Sequence, residues 1–484
     1  MREDWEECCF EDLLDYEQPT NYIVKSTAYN DAYETPVLTA GKSFIKGYTN
    51  ETEGIFDNLP TIIFDDFTTA SQFVNFKFKV KSSAMKILVP TSELVNMDFA
   101  YYAMQVNQIR SDTHKRYWIS VYAKKKFLLP SLLEQKAIVS KIEELFSDLD
   151  QGISDLKKAQ DQLKVYRQAV LKKAFEGELT KEWREQQTDL PTADELLVQI
   201  KAERQKHYEQ QLVKWKQAVK TWEENGKEGK KSGKPKAIKS VEEFTQTEIK
   251  NMDKLPNEWH WVRLGNIFQV FVGSTPSRSK SEYWENGTIN WVSSGEVTFS
   301  SIFETKEKIT VEGLNNASTT VHSVGTVMLA MIGEGKTRGQ AGILEIEACH
   351  NQNTAAIRVS EIGFLPKFLF HYLFLKYERN RSVGSGNNQK ALNQGRIMDF
   401  DYPLCSPNEQ HQIVRQIESR LSVCDQVEQS ITESLEKAKA LRQSILKKAF
   451  EGTLLSEKEI AACKAAPDYE PASVLLKKIK EEKL

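Results

Sequence analysis

The chain has little cysteine, and its cysteines are not arranged for metal or disulfide chemistry. Its 484 residues include six, at positions 8, 9, 349, 405, 424 and 463, with no C-x-x-C pair and no Cys–His zinc spacing. Reduced thiols in a reducing compartment are expected. No run approaches the roughly 18 apolar residues of a membrane helix. The opening MREDWEECCFEDLLDYEQ is acidic and lacks the apolar segment of a secretion signal. A cytoplasmic protein is expected. Net charge is also scarce, with 65 Lys+Arg against 68 Asp+Glu leaving −3. A nucleic-acid binder of this composition must concentrate its cations locally.

Catalytic signatures are missing too. AGKS (Ala40–Ser43) and GEGKT (Gly333–Thr337) suggest a phosphate-binding loop, but the glycine required five positions earlier is Pro36 or Ala330. GEGKT also leads into a strand-like run, where phosphate binding needs a helix N-terminus. The seven histidines form no metal-spaced pair. FDDFTT (Phe64–Thr69) reads as a turn at a strand end. No nucleophile elbow and no N-P-P-[YF]-type tetrapeptide is present, so a non-catalytic chain without metal or cofactor of its own is expected.

What is present is a repeat. LKKAFEGEL (Leu171–Leu179) returns far downstream as LKKAFEGTL (Leu446–Leu454). The match extends without a gap from Glu134–Gly177 to Glu409–Gly452, with 19 of 44 positions identical. ADELLVQIK from Ala193 resembles ASVLLKKIK from Ala472. A period this long marks a duplicated half-molecule rather than a solenoid. In the first copy Ile138, Ile142, Leu145, Leu149, Gly152, Leu156, Ala159, Leu163, Tyr166 and Val170 recur at steps of four and three. The second copy continues through Ile413, Ile417, Cys424, Val427, Ile431, Ala438, Leu441 and Ile445, interrupted by Arg420 and Ser434. That is a heptad seam. Gly177 and Gly452 stand where a helix C′ glycine belongs. Two helices of about 40 residues, roughly 60 Å each, are predicted to pack on one another. Ile138, Ile142, Leu149, Leu163 and Phe175, with Ile413, Ile417, Ile431, Leu441 and Phe450, are the candidate helix- and subunit-packing residues.

The fold class read from this pattern is α+β. Two globular domains alternate with two long antiparallel coiled-coil-like helices, in an internal pseudo-twofold repeat. The expected boundaries are 1–130 for the first globular domain and 131–180 for the first helix. A charged helix and basic linker follow over 181–255, then a second globular domain over 256–405 and the second helix region over 406–484. Each globular region has short β-type runs (TPVLTAG, PTIIFDD and FKFKVK; TINWVSSG, GTVMLAMIG and QAGILEIEA) and one apolar helix, Met97–Val106 or Pro366–Leu375.

Local cation clusters point to nucleic acid. Between Lys77 and Pro130 there are ten Lys/Arg and three Asp/Glu, a balance of +7. Period two places Lys77, Lys79 and Lys81 on one strand face, followed by Ser82, Ser83 and Lys86. His114, Lys115 and Arg116 form a basic loop. In the second domain the candidates are Ser274, Thr275, Arg278 and Lys280; Lys336, Thr337 and Arg338; Asn351 and Gln352; and Asn387, Asn388 and Lys390. Lysine and arginine neutralise phosphates, while Asn, Gln and Arg suit base edges.

LPSLLEQKAIVSKIE and LCSPNEQHQIVRQIE, the paired LKKAFEG and the run Leu255–Val292 resemble the specificity (S) subunits of type I restriction–modification enzymes. The resemblance covers nearly the whole chain. It implies a sequence-specific DNA-recognition subunit in which each target-recognition domain reads half of a bipartite asymmetric site in double-stranded DNA. The helices set the spacer and dock two methyltransferase (M) subunits. The partners use the cofactors, S-adenosylmethionine in M and ATP with magnesium in the motor-nuclease (R) subunits. The low net charge implies that M supplies much of the phosphate contact. The competing class is a non-catalytic coiled-coil scaffold, which would not need clustered cations in its globular parts.

Overall fold

The computed structural model describes residues 2–39, 43–107, 117–228, 231–235, 237, 239–333, 335–359, 363–382 and 391–483. The helices of eight or more residues are α1 (Met97–Val106), α2 (Leu132–Phe175), α3 (Ala193–Glu224), α4 (Pro366–Leu375), α5 (Pro407–Phe450), α6 (Glu457–Ala465) and α7 (Ala472–Lys483). Two compact units divide the chain. One combines Met1–Gln160 with Gln429–Leu484, and the other is Asp161–Glu428. Each long helix therefore contributes its first part to one unit and its last part to the other.

In the first unit the globular domain holds two sheets. A four-stranded antiparallel sheet runs in the order Leu14–Glu17, Met85–Pro90, Thr61–Asp65, Ser71–Val74. A smaller sheet orders Ile45–Thr49, Thr35–Leu38 and Lys79–Val80. The domain closes where its first strand, Glu6–Cys9, pairs with its last, Lys126–Leu129. The chain then enters α2 through Ser131, whose Oγ accepts the Glu134 N–H at 3.3 Å, while Gln135 Nε2 donates to Pro130 O.

The second unit repeats this plan on different sheets. A five-stranded sheet runs Gln269–Val272, Thr354–Arg358, Val327–Ala330, Ala341–Leu344, Ser300–Ile302, beside a three-stranded sheet of Glu307–Ile309, Ile289–Val292 and Ala348–His350. Again the first and last strands pair, His260–Arg263 with Asp401–Leu404. Ser406 caps α5 through the Glu409 N–H at 3.2 Å, and Gln410 Nε2 donates to Cys405 O.

The helix segments are antiparallel within each unit. In the first, Ile138 and Ile142 share a core with Leu446 and Ala449, and Arg442 pairs with Asp150. In the second, Leu171 and Phe175 share a core with Ile413 and Ile417, and Arg167 Nη2 lies 2.7 Å from Asp425. Arg167–Asp425 and Arg442–Asp150 occupy equivalent positions in the two copies of the repeat, so one ion pair is made twice.

The repeated LKKAFEG ends a helix against a globular domain. Phe175 packs edge-on to Phe368 and Tyr372 of α4, at centroid distances of 5.0 and 5.1 Å. Phe450 packs on Phe99 of α1 at 5.0 Å. The glycines that follow, Gly177 (φ +75) and Gly452 (φ +73), are left-handed and crowded. A Cβ on Gly177 would stand 2.4 Å from Pro256 Cγ, and one on Gly452 would stand 2.9 Å from Arg2 Cγ. Conformation and space both demand glycine. The shorter repeat behaves alike, with Ala193, Leu196 and Ile200 of α3 and Ala472, Leu475, Leu476 and Ile479 of α7 buried in their respective units.

The seam differs from a continuous heptad stripe. Ile138, Ile142, Ile413, Ile417 and Ile431 are buried, whereas Leu149 and Leu163 are half-buried. Gly152, Tyr166, Val427 and Leu441 stand exposed. One partner helix covers only a narrow stripe, and positions about 60° off its centre emerge at the flank. Leu441 is thus a flank residue rather than a seam residue. Arg420 turns back to the Gln416 carbonyl of its own helix.

Glu409 is 1% exposed and accepts from Thr180 Oγ1, Arg184 Nε and Trp259 Nε1, each at 2.8 Å. Its repeat counterpart Glu134 is equally buried and pairs with Arg2 at 2.9 Å, while the buried indole N–H of Trp5 has no hydrogen-bond partner among the described residues. Glu409→Ala should therefore cost more stability than Glu134→Ala, about 3 kcal/mol or more, because it strands an arginine and an indole at once. Urea unfolding of both variants checks the order.

Candidate nucleic-acid interface

In the first domain one loop end gathers the exposed polar groups. The turn Asp65–Thr69 is built by Asp65 Oδ1, which accepts the Phe67 and Thr68 N–H groups at 2.9 and 3.0 Å. Asp66 then ties two neighbours to this turn. Its N–H donates to Ala84 O beside Ser82 and Ser83, and its carbonyl and Oδ1 accept from Tyr117 and Trp118. Lys81, Ser82 and Ser83 are exposed here. Phe67, 40% exposed at the tip, was hidden in the sequence as part of an acidic turn. His114, Lys115 and Arg116 lie outside the described residues.

The lysine stripe is not what period two predicts. Only Lys79–Val80 is strand. Lys77 is exposed and faces Asp57 at 3.5 Å. Lys79 is 1% exposed, donating to Glu53 O at 2.6 Å and Gly54 O at 3.0 Å with Glu51 3.2 Å away. Lys86 is buried with its ammonium 4.3 Å from the Tyr16 ring centroid. Both are structural cations, Lys79 enclosed by the Glu53 and Gly54 carbonyls and Lys86 against the Tyr16 ring. Their ammonium groups do not reach a surface phosphate.

In the second domain the candidates again converge at loop ends. Gly273 crosses so close to His350 that a Cβ would stand 2.0 Å from its carbonyl oxygen. This crossing places Ser274 N on His350 O at 3.1 Å and Thr275 Oγ1 on the exposed Gln352 side chain. Met331 N donates to Asn353 O and Leu392 N to Met331 O, which brings the 335–339 turn to the same place. That turn is held by Tyr377 and Arg381, which donate to Lys336 O and Gly335 O. Lys336 is exposed and Thr337 half-buried.

Other candidates are committed internally. Arg278 forms two hydrogen bonds to Glu307 and lies 3.7 Å from the Trp284 ring centroid, so its charge is already matched. The Glu307 carboxyl is correspondingly held below its ordinary range by that arginine. Lys280 donates to Tyr283 Oη at 3.0 Å. Arg338 is 7% exposed and donates to Arg381 O, supporting the turn from beneath. Asn351 is 6% exposed, and its Oδ1 accepts Asn353 N and Thr354 Oγ1. Asn387, Asn388 and Lys390 lie outside the described residues. Sequence reasoning missed Tyr377 and Arg381, whose i,i+4 spacing on a helical turn was the available signal.

Beneath this loop sit two buried histidines with rings 5.1 Å apart. Arg358 Nε donates to His322 Nδ1 at 3.1 Å, and His350 Nδ1 meets Thr354 Oγ1 at 2.8 Å. Burial pushes His322 down to about 3 and His350 down to about 4. Among the described residues no cluster of three or more His, Cys, Asp or Glu could hold a metal, and no helix is long and apolar enough to cross a membrane.

A family model for the type I restriction modification DNA specificity domain matches residues 2–158 and again 256–437. The chain belongs to this specificity family. The chain is 28% identical to the EcoR124I/EcoR124II specificity subunit of Escherichia coli over 442 residues, 89% of each protein. It is 23% identical to the EcoDI specificity subunit of Escherichia coli, over 81% of this chain and 77% of that one. The fold is shared with a chain solved in work on complex assembly and conformational transition of the type I R-M system (TM-score 0.61, 16% identity, 94% of this chain and 99% of that one). The HsdS subunit from Thermoanaerobacter tengcongensis is also similar in fold (TM-score 0.51, 16% identity, 94% and 98%). The two matched spans each hold one globular domain and the beginning of the long helix that follows it. The duplicated helices and paired loop ends thus belong to a type I restriction–modification specificity chain.

Two outcomes follow from this geometry. Lys79→Ala should lower the stability of the specificity chain by about 3 kcal/mol, since it leaves Glu51 and two carbonyls without their cation. Lys81→Ala should stay within about 0.5 kcal/mol of wild type and flatten the salt dependence of DNA binding by about one unit. Denaturant titration and DNA binding across salt concentrations measure both. The histidines, charged below about 6.5 in the unfolded chain, resist protonation when folded. Stability present above that pH should fall as pH drops toward 4, because the unfolded state takes up the protons first. A His322→Gln/His350→Gln variant should show a shallower decline of Tm between pH 7 and 5.

Proposed function

We propose that this specificity subunit reads a bipartite asymmetric DNA sequence, one half with each globular domain. The unspecified spacer between the halves is set by α2 and α5. Each half of the helix pair docks one methyltransferase subunit. The carrying observation is the duplication itself. Two different β frameworks are each closed by a first-to-last strand pair and each lead into the same 44-residue helix through the same Ser–Glu–Gln start. A 44-residue helix is about 66 Å long at 1.5 Å per residue, longer than one DNA turn of about 34 Å.

In the first domain the reading surface is the end bearing Lys81, Ser82, Ser83 and Phe67. In the second it is the end bearing Thr275, Lys336 and Gln352. Exposed lysines there meet phosphates, and Gln352 suits an adenine edge. Chemistry resides in the partners. Adenine methylation uses S-adenosylmethionine on the methyltransferase subunits, and cleavage uses ATP and magnesium on the motor-nuclease subunits.

Co-expression of the chain with its own methyltransferase subunit, followed by single-molecule mapping of adenine methylation, tests the reading. A split asymmetric motif with a fixed gap should appear, and it should vanish when this chain is omitted. A soluble, stable complex that yields no motif would overturn it.

A further inference from the structure

The packing that the two copies of the shorter repeat share is complete at one contact. Arg204 of α3 is 8% exposed and donates from Nη1 to Gly265 O at 3.2 Å and to Asn266 O at 2.5 Å. Its counterpart in α7, Lys483, donates to Glu11 O of the first domain. Beyond Arg204 the chain makes an excursion over residues 205–240. It returns where it left, since Val241 N donates to Asn266 Oδ1 at 2.8 Å and Asn266 Nδ2 donates to Val241 O at 3.0 Å. The domain is closed without this segment. Its first and last strands pair, and Ala193, Leu196 and Ile200 supply the buried side of α3.

The excursion is an arm with internal order of its own. α3 runs on to Glu224, about 30 Å past Arg204 at 1.5 Å per residue. Tyr208, Leu212, Trp215, Val219 and Trp222 recur along it at steps of four and three and are half-buried. The returning leg meets this stripe. Trp215 Nε1 donates to Ser232 O at 2.9 Å, and Lys231 Nζ stands 5.5 Å from the Trp222 ring centroid. Lys231 and Lys234 of the leg are thereby brought to the part of α3 that carries Lys214, Lys216 and Lys220, and all five are exposed.

We propose that this arm binds the phosphate backbone of double-stranded DNA without regard to sequence, through residues separate from both sets of reading loops. This rests on the DNA-reading function proposed above and adds a second kind of contact to it. Residues 205–240 hold ten lysines against four glutamates, and this balance of +6 leaves −9 for the rest of a chain whose total is −3. The positive field is therefore gathered on the arm and is not a share of a general positive charge. Among the arm's described lysines only Lys220 forms an ion pair, with Glu224 at 3.8 Å. The others keep their charge for a polyanion, whose binding releases condensed counterions. The arm's cations are all lysines with no arginine. A lysine is a hydrated point charge that meets phosphate, without the planar fork that matches a base edge.

The test is a Lys214→Gln/Lys216→Gln/Lys220→Gln/Lys227→Gln/Lys231→Gln/Lys234→Gln variant, bound to the methyltransferase subunit and titrated with duplexes that carry or lack the methylated motif. Each phosphate contact adds about 0.9 to the slope of log K against log salt. With half of these lysines engaged at once, the slope should flatten by about three units and binding should weaken about tenfold or more, equally on both duplexes. The methylated motif should stay the same. A variant with arginine at the six positions should keep the wild-type slope, which separates lost charge from lost folding. An unchanged slope in the glutamine variant would overturn the inference and leave the arm a solvated excursion. A loss confined to the motif-bearing duplex would overturn it in favour of base reading. Lost methyltransferase binding with the slope of the free chain unchanged would make the arm a protein-docking element instead. If the wild-type complex itself yielded no motif, the half-site reading would fail, whatever the arm does.

Discussion

A single buried carboxylate at the start of α5 organises the second unit. Glu409 accepts from Thr180, Arg184 and Trp259, which belong to two stretches of chain remote from its own. Thr180 and Arg184 follow the end of α2, and Trp259 opens the globular domain. A buried ion with three donors is stable only if all three arrive together. The helix end, the domain opening and the helix start are therefore coupled. Arg184 also donates to Gly177 O, so the carboxylate network closes the α2 terminus directly. The left-handed glycine leaves room for Pro256 there.

The first unit reaches the same end with different residues. Glu134 again lies buried at the helix start, but its cation is Arg2, which also packs on Gly452 and pairs with Asp4. Arg2 lies where Pro256 lies in the other unit, and Trp5 where Trp259 lies. Lys464, just before the end of α6, joins the cluster through Asp4 at 2.7 Å, and these neighbours hold the Asp4 carboxyl far below its ordinary range. The junction is thus a fixed demand, a buried carboxylate needing donors, met by whichever side chains each half supplies. This explains why LKKAFEG and the EQ start recur closely while the rest of each domain has drifted.

The β frameworks answer to a looser demand. They must join their first and last strands beside the helix start and hold loops at the far ends of their strands. Domain one does this with a hairpin turn pinned by Asp66, and domain two with a turn strapped by Tyr377 and Arg381. Many of the polar residues in these regions, Lys79, Lys86, Arg338 and Asn351 among them, serve the framework instead of the surface. A charge count cannot separate the two uses, because it is blind to which ammonium is enclosed by carbonyls.

The sequence alone determined the two-part plan, both long helices, the glycine at each helix end, the apolar helices Met97–Val106 and Pro366–Leu375, and the family. These rest on short-range periodicity and on identity at a constant offset, both of which are written linearly. It did not determine which cations face outward. Lys77, Lys79 and Lys81 alternate in the chain, yet only a two-residue strand forms and the middle lysine is drawn under Glu53 and Gly54. Nor did it show that Arg278 is matched by Glu307 of a separate strand, or that Tyr166 and Leu441 leave the seam. Those outcomes depend on which distant segment lies within hydrogen-bonding reach or covers a helix flank. Tertiary structure decided them, because burial and charge pairing are properties of neighbours in space.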